Sequence, residues 1–196
     1  ARVGRSVPTT TLILAGVAIS AVATSATSFL MFLDTERIFS ILAWLLGGFN
    51  ISGWQRLAWI APYMLPAAAL LLLSGRTLNV LQLGDEEAQQ LGVNVERARL
   101  LLLGAASLAA AAAVSVSGII GFVGLIVPHA VRLLLGPDHR RLLPMSMVLG
   151  AAFLILADLL ARTVIQPSEL PVGIITAFCG APFFLFLLRR SQRGVY

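Results

Sequence analysis

The side chains of this sequence that could do chemistry are few, and they are not grouped as a catalytic or metal site requires. His129 and His139 lie ten residues apart with Asp138 beside the second, which is not a recognisable metal-ligand spacing. The chain contains neither an HExxH nor a GxSxG motif, and only Asp158, Cys179 and scattered hydroxyls could otherwise react. We therefore predict no catalytic residue and no metal site, and expect a structural role for His129, next to Pro128, and a surface role for His139.

The basic residues also limit the chemistry. All fourteen are arginine, so the chain has no P-loop lysine and no Schiff-base nucleophile. If nucleotide energy is used, a partner subunit must bind the nucleotide, and this chain itself holds no cofactor.

A polar segment between two long uncharged runs is the most unusual feature of the sequence. The segment from Thr77 to Arg99 contains four of the nine acidic residues, and it cannot lie in hydrocarbon. Gly84 breaks the chain before three acids that suit the positive end of a helix, and Gly92 suits a helix stop. We predict two short helices, at residues 77–83 and 85–91, within a loop spanning residues 77–94.

The composition is that of a polytopic membrane protein. The chain is 58% hydrophobic and only 12% charged, with a mean hydropathy of +0.91. A net charge of +5 would suggest nucleic acid in a soluble protein, but in a membrane protein the distribution of charge across the bilayer is more informative, and we expect no nucleic-acid partner. The lone Cys179 excludes an internal disulfide.

Hydropathy and helix-breaking residues predict a single all-α membrane domain over residues 1–196. A short interfacial helix is expected at residues 36–47, because its apolar part is shorter than a span. Six crossings are predicted, at about residues 8–33, 56–75, 95–117, 125–135, 142–165 and 171–189.

The fourth crossing is predicted to be a short helix preceded by irregular chain. Leu100 to Val131 is uncharged over 32 residues, which is too long for one helix and too short for two with a loop. A short helix of about 16 Å and an extended segment of about 20 Å can together cross a hydrocarbon core of about 30 Å. The predicted structural break comprises Gly118, Gly121, Gly124 and Pro128.

Arginine positions predict the orientation. Six crossings place both ends on one side, and putting that side in the cytoplasm leaves eleven arginines inside and only Arg37, Arg56 and Arg162 outside. The absence of a start Met and the abrupt opening suggest that sequence is missing upstream.

Five segments, together with LAGVAIS and WLLGGF, resemble the FecCD family, the permease subunits of bacterial ABC importers for iron-siderophores, haem and cobalamin. The segments are GDEEAQQLGV from Gly84, SGIIGFVGLIVPHAVR from Ser117, DHRRLLP from Asp138, ADLLAR from Ala157 and ELPVGIITAFCGAP from Glu169. Their order and spacing match the family, and the chain looks like its C-terminal portion, from the fifth helix onward.

The resemblance implies a transmembrane bundle of the type II ABC importer kind in the bacterial cytoplasmic membrane. It implies alternating access, with a second permease copy, a cytoplasmic ATPase pair that holds ATP and magnesium, and an extracytoplasmic substrate-binding protein. The polar segment is then the coupling loop that contacts the ATPase. Its contact residues are predicted to be Leu83, Gly84, Asp85, Glu86, Glu87, Ala88, Leu91, Gly92 and Val93.

Two further roles are predicted with alternatives left open. Arg162 is one helical turn from Asp158, so it could form a helix-end ion pair, or it could meet an acidic residue of the binding protein as the resemblance implies. Glu169 is expected to cap the last helix. Candidate residues for the substrate pathway are Ser25, Ser28, Phe29, Trp44, Phe49 and Thr176.

The alternative function is an ion-coupled secondary carrier that works without an ATPase. Such a carrier usually has ionisable groups in mid-membrane, and Asp158 comes closest to that depth in this sequence.

Overall fold

The computed structural model of the protein describes residues 9–34, 36, 38–49, 53–165 and 169–192. Throughout these residues the chain is helical with connecting turns and contains no strand, which confirms the all-α class. Of the arginines used to orient the chain, Arg2, Arg5, Arg37 and Arg193 lie outside the described residues. The helices are α1 (Thr9–Leu33), α2 (Ile38–Leu45), α3 (Trp54–Leu73), α4 (Gly75–Leu81), α5 (Asp85–Gln90), α6 (Val95–Ser117), α7 (Val123–Leu135), α8 (His139–Thr163) and α9 (Val172–Gln192).

Four helical segments in the described part of the chain are long and apolar enough to cross a membrane. They are Ile13–Leu33, Trp54–Leu73, Val95–Ser117 and His139–Thr163. Two others, Val123–Leu135 and Val172–Leu185, are apolar but shorter. At about 20 Å, α7 is shorter than a hydrocarbon core of about 30 Å, so a crossing there depends on the irregular residues before it. The six predicted crossings and the interfacial helix stay predictions.

The chain divides into two compact units, Ala1–Ala43 and Trp44–Tyr196. In the first unit, α1 exposes nearly all of its described side chains, and its hydroxyls bond back to its own backbone, as where Ser25 donates to the carbonyl of Ala21 at 2.9 Å. Such bonds satisfy a hydroxyl within a helix without a partner from another element.

The helices of the second unit pack through two buried clusters, the second of which contains small residues. α3 lies along α6, and α8 packs against both α7 and α9. One buried cluster joins Val127 and Val131 of α7 to Leu142 of α8. Another joins Ala157 and Ala161 of α8 to Val172 at the start of α9, with Phe49 packed against it. Small side chains allow helix axes to approach closely, which is how membrane helices gain contact area without a hydrophobic driving force.

Three glycines, Gly47, Gly118 and Gly173, form a glycine junction where the chain after α2, the end of α6 and the start of α9 meet. A Cβ on Gly47 would overlap the carbonyl of Ile119, one on Gly118 would overlap that of Trp44, and one on Gly173 would overlap that of Leu46.

The junction is fastened by main-chain hydrogen bonds. The N–H of Gly48 donates to the carbonyl of Ser117 at 2.8 Å, and that of Gly173 donates to the carbonyl of Gly47 at 3.4 Å. These bonds satisfy backbone groups at the ends of helices, which otherwise have no intrahelical partner.

The four residues of the predicted structural break fall in different places. Gly118 ends α6 with φ +66°, and Gly121 lies in the irregular chain that follows. Gly124 and Pro128 lie inside α7, which begins at Val123, two residues before the predicted start.

Candidate functional site: the coupling loop and its contacts

The predicted coupling loop contains two short helices, α4 and α5, of which α4 begins at Gly75 and ends at Leu81, two residues earlier at each end than predicted. Ser74 separates α3 from α4, and its hydroxyl bonds back to the carbonyl of Leu70 at 2.7 Å. Gly84 precedes α5, whose first turn carries Asp85, Glu86 and Glu87 at the positive end of the helix. Asn94 then caps α6 by accepting from the N–H of Arg97 at 3.0 Å.

Ala88 is the internal anchor of α5. Its side chain is 0% exposed, its N–H donates to the carbonyl of Gly84 at 3.0 Å, and its own carbonyl accepts from Val93 at 3.0 Å. Gly92 ends the turn after α5 with φ +83°, a backbone conformation that favours glycine. The backbone bonds of Ala88 therefore join the residues before and after α5, and the remaining side chains of α5 and its flanking residues form the outer surface of the loop.

That outer surface combines apolar and acidic side chains. Leu83 and Leu91 are 61% and 63% exposed, and Asp85, Glu86 and Glu87 beside them are exposed as well. In a contact with another protein, the leucines would supply area that is buried on binding and the acids would select a basic partner.

One ion pair connects α5 to α6. Nη2 of Arg99 lies 2.9 Å and 3.2 Å from the two carboxylate oxygens of Asp85. Both side chains are about half exposed, at 45% and 53%, so the pair contributes at most about 1 kcal/mol to stability. It orients α5 more than it stabilises the fold.

A second set of contacts, which sequence reasoning missed, ties α4 to the start of α8. Nδ2 of Asn79 donates to Oδ1 of Asp138 at 2.6 Å, and Oδ1 of Asn79 accepts from the backbone N–H of His139 at 2.8 Å. Nε2 of Gln82 lies 3.1 Å from Nδ1 of His139.

Asp138 also caps α8 by accepting from the N–H of Arg140 at 3.0 Å. The hydrogen bond from Asn79, followed by that from the backbone of Arg140, holds the pKa of Asp138 below its ordinary value.

The C-terminal end of α8 gathers three predicted residues. Nε of Arg162 lies 2.8 Å from Oδ2 of Asp158, and its Nη1 lies 3.5 Å from Oε1 of Glu169. The side chain of Arg162 remains 40% exposed. Glu169, expected as a helix cap, thus pairs with Arg162, and docking of a binding protein at Arg162 stays a prediction.

The candidate pathway residues occupy different settings. Ser25, Ser28 and Phe29 are exposed on α1, whereas Thr176 is fully buried and donates to the carbonyl of Gly173 at 3.1 Å. Phe49 lines a cavity of about 1000 Å³ between α3, α6, α7 and α8, and Trp44 is 39% exposed. As a substrate pathway, these six residues stay a prediction.

The two histidines lie in separate places. The ring of His129 packs edge-on against that of Phe183, with centroids 5.9 Å apart, whereas His139 belongs to the contact between α4 and α8. Among the described residues there is no group of three or more His, Cys, Asp or Glu side chains that could hold a metal ion.

The model of the FecCD transport family matches residues 1–190. The chain belongs to the FecCD transport family. This FecCD chain is 51% identical over 185 residues to the cobalamin import system permease protein BtuC of Halobacterium salinarum, a match that covers 94% of this chain and 50% of that protein. It is 45% identical over 182 residues to the hemin transport system permease protein HmuU of Yersinia pestis, which covers 92% of this chain and 54% of that protein.

A solved structure has the same fold. It is an inward-facing conformation of a transporter assigned to the metal-chelate ABC type, with a TM-score of 0.86 and 36% identity, and the match covers 93% of this chain and 59% of that one. This likeness confirms the predicted bundle class. The FecCD chain spans about half the length of the curated relatives named above.

Proposed function

We propose that this FecCD chain is part of the transmembrane permease subunit of an ATP-driven importer for an iron-siderophore, haem or cobalamin. Family membership and the names of the cobalamin and hemin relatives support this class of cargo. The relatives are import-system permeases, so the ion-coupled carrier gains no support from them. In this proposal the cargo does not react, and the chain acts as a transporter subunit rather than an enzyme.

The observation that carries the proposal is the surface of the coupling loop. Glu86 and Glu87 are exposed, as are Leu83 and Leu91, on a segment that is anchored through buried Ala88. A short, fixed helix of this kind suits a contact that transmits a rigid displacement. Its partner is a cytoplasmic ATPase pair, and ATP with magnesium is bound there and not by this chain.

The complete assembly contains two permease copies in the bacterial cytoplasmic membrane, with a substrate-binding protein on the opposite face from the ATPases. Both ends of the present chain lie in the cytoplasm in this arrangement. ATP binding closes the ATPase pair, displaces the coupling loop and shifts the permease between outward-open and inward-open states. Arg162 is the docking residue for an acidic group of the binding protein, which takes the place of the more distant of its two present partners, Glu169 at 3.5 Å.

Co-purification tests the proposal. The natural full-length form of the chain is tagged, extracted from its own membrane in mild detergent, and analysed by mass spectrometry beside the Glu86→Arg/Glu87→Arg variant. We expect an ATPase subunit to accompany the unmodified protein and to be lost from the variant, because two acids facing a basic groove become two like charges.

The matched control reverses two acids on the opposite side of the proposed membrane arrangement. Asp34→Arg/Glu36→Arg makes the same change in net charge and should retain the ATPase. Absence of any ATPase from the unmodified, intact membrane assembly would overturn the proposed function.

A further inference from the structure

A single side-chain amide makes two hydrogen bonds between the coupling loop and the residues around the start of α8. Asn79 of α4 and Asp138 before α8 are 59 residues apart, and their side chains meet at 2.6 Å in a part-buried setting. This distance is at the short end for a hydrogen bond to an ionised acceptor, which is about twice as strong as one between neutral groups.

The orientation of the Asn79 amide follows from its partners. Its Oδ1 faces the backbone N–H of His139, a group that can only donate, at 2.8 Å. Its Nδ2 therefore points to Asp138, whose carboxylate can only accept when ionised. The side chain of Asn79 thus bonds both to Asp138, the N-cap of α8, and to His139, the first residue of α8.

The backbones of α4 and α8 also meet directly. A Cβ on Gly75 would lie 3.1 Å from Cα of Arg140 and 3.2 Å from its nitrogen, closer than ordinary contact. The start of α4 is therefore pressed against the first turn of α8, four residues before Asn79. Side-chain bonds and main-chain contact restrict sliding of α4 along α8.

α8 is suited to carry a displacement onward. It is 25 residues long, or about 37 Å, and it packs through buried side chains on α7 near its start and on α9 near its end. Its C-terminal turn holds Arg162, between Asp158 and Glu169. In contrast, α5 contacts α6 through an exposed ion pair.

We propose that Asn79 and Asp138 form a latch that transmits displacement of the coupling loop into α8. This inference rests on the proposed function, since it concerns how an ATPase-driven movement reaches the membrane helices. Asn79 is a positioning residue in this account: it contacts neither the cargo nor the nucleotide. Movement of α4 carries α8 with it because the two are joined by the latch and by the Gly75 contact.

Exchange of the two latch residues provides the test. Asn79→Asp places two carboxylates against each other and should break the latch. Asp138→Asn should be tolerated, because the oxygen of the new amide still accepts from Asn79 and from the N–H of Arg140. The exchange Asn79→Asp/Asp138→Asn restores a donor opposite an acceptor. The new amide nitrogen at position 138 donates to the carboxylate at position 79, and the new amide oxygen takes over the bond from the N–H of Arg140, so the latch should re-form.

The measurement follows α8 and the ATPase together in the full-length importer complex in proteoliposomes. Cys179→Ser removes the natural thiol. One nitroxide is attached at Gln55→Cys, in the first turn of α3, and the other at Val164→Cys, directly after α8. The distance between the two nitroxides is recorded with and without ATP and vanadate, beside the rate of ATP hydrolysis. No cargo is required for either reading.

We expect Asn79→Asp to hydrolyse ATP with the ATPase still bound, but to reduce the ATP-dependent change in distance by about tenfold. The exchange variant should recover the change in distance, and Asp138→Asn should resemble the unmodified complex. An unchanged distance response in Asn79→Asp would overturn the latch. Failure of the exchange variant to restore the distance response would also overturn the latch. The same holds if Asn79→Asp reduces assembly but leaves ATP-driven movement unchanged in the complexes that do assemble. Absence of ATP-dependent movement from the unmodified complex would instead overturn the proposed function and the latch with it.

Discussion

Gly118 shows what a single residue contributes to this fold by having no side chain. It ends α6 with φ +66° and ψ −163°, a conformation that is open almost only to glycine. Its Cα also lies against the carbonyl of Trp44, where a Cβ would overlap the oxygen. The backbone conformation and the close approach of Trp44 therefore each restrict position 118 to glycine.

Gly118→Ala is expected to destabilise the protein by about 3 kcal/mol, because the added methyl both strains the backbone and overpacks the glycine junction. Thermal unfolding in detergent, followed by circular dichroism, measures the effect. Gly124→Ala is the matched control, since a Cβ there has no neighbour within 4 Å. Within a helix this control should be neutral or stabilising by up to about 1 kcal/mol. Equal melting temperatures for the two variants would contradict the account of the junction.

At the scale of the element, α5 is too short to exist alone. It has six residues, well below the length at which an isolated helix is marginally stable in water, about twelve to fifteen. Buried Ala88 and the Asp85–Arg99 pair therefore hold it in place. Because the pair is exposed, burial of Ala88 is the larger contribution.

Ala88→Leu should cost about 1–3 kcal/mol by overpacking and should detach α5 from its support. Thermal unfolding measures the loss of stability. The amount of ATPase that co-purifies measures the loss of the outer surface of the coupling loop. Gln90→Leu adds a similar side chain at an exposed position of the same helix, and its melting temperature should match that of the unmodified protein. If Ala88→Leu keeps its full stability, α5 is held by other contacts.

Local sequence signals located elements better than they located contacts between elements. Asn94 and Gly118 mark the ends of α6, since one caps its first turn and the other stops it. α7 begins two residues before its predicted start because Phe122, at φ +66°, turns the chain sooner than the glycines alone indicate. No local signal connects Asn79 with Asp138, since each is an ordinary polar residue and their meeting depends on how α4 returns to α8. The ion pair of Arg162 with Asp158 could be predicted from the sequence because those residues are one helical turn apart.

At the scale of the whole molecule, the arginine distribution predicts which side of the membrane each end of α8 faces. Residues near the start of α8, including Arg140 and Arg141, belong to the arginine-rich side, whereas Arg162 belongs to the side with few arginines. The coupling loop lies with the start of α8, because Asn79 bonds to Asp138.

Thiol labelling tests this orientation. In a Cys179→Ser background, an impermeant maleimide should label Val164→Cys in intact spheroplasts but should label Gln89→Cys only after the membrane is opened. Both positions are exposed, so accessibility to reagent depends on the side of the membrane. The reverse pattern would invert the topology and separate the coupling loop from any cytoplasmic ATPase.

The glycine junction also affects how the sequence can diverge. Its contacts are made by Cα atoms and carbonyl oxygens, so every replacement at Gly47, Gly118 or Gly173 adds atoms where the neighbouring main chain already stands. A side chain opposite cannot shrink to compensate, because the opposing group is backbone. In saturation mutagenesis these three positions should reject every substitution and should acquire no second-site suppressor by exchange with a contacting side chain. Main-chain contact therefore requires glycine at these three positions whatever side chains surround them.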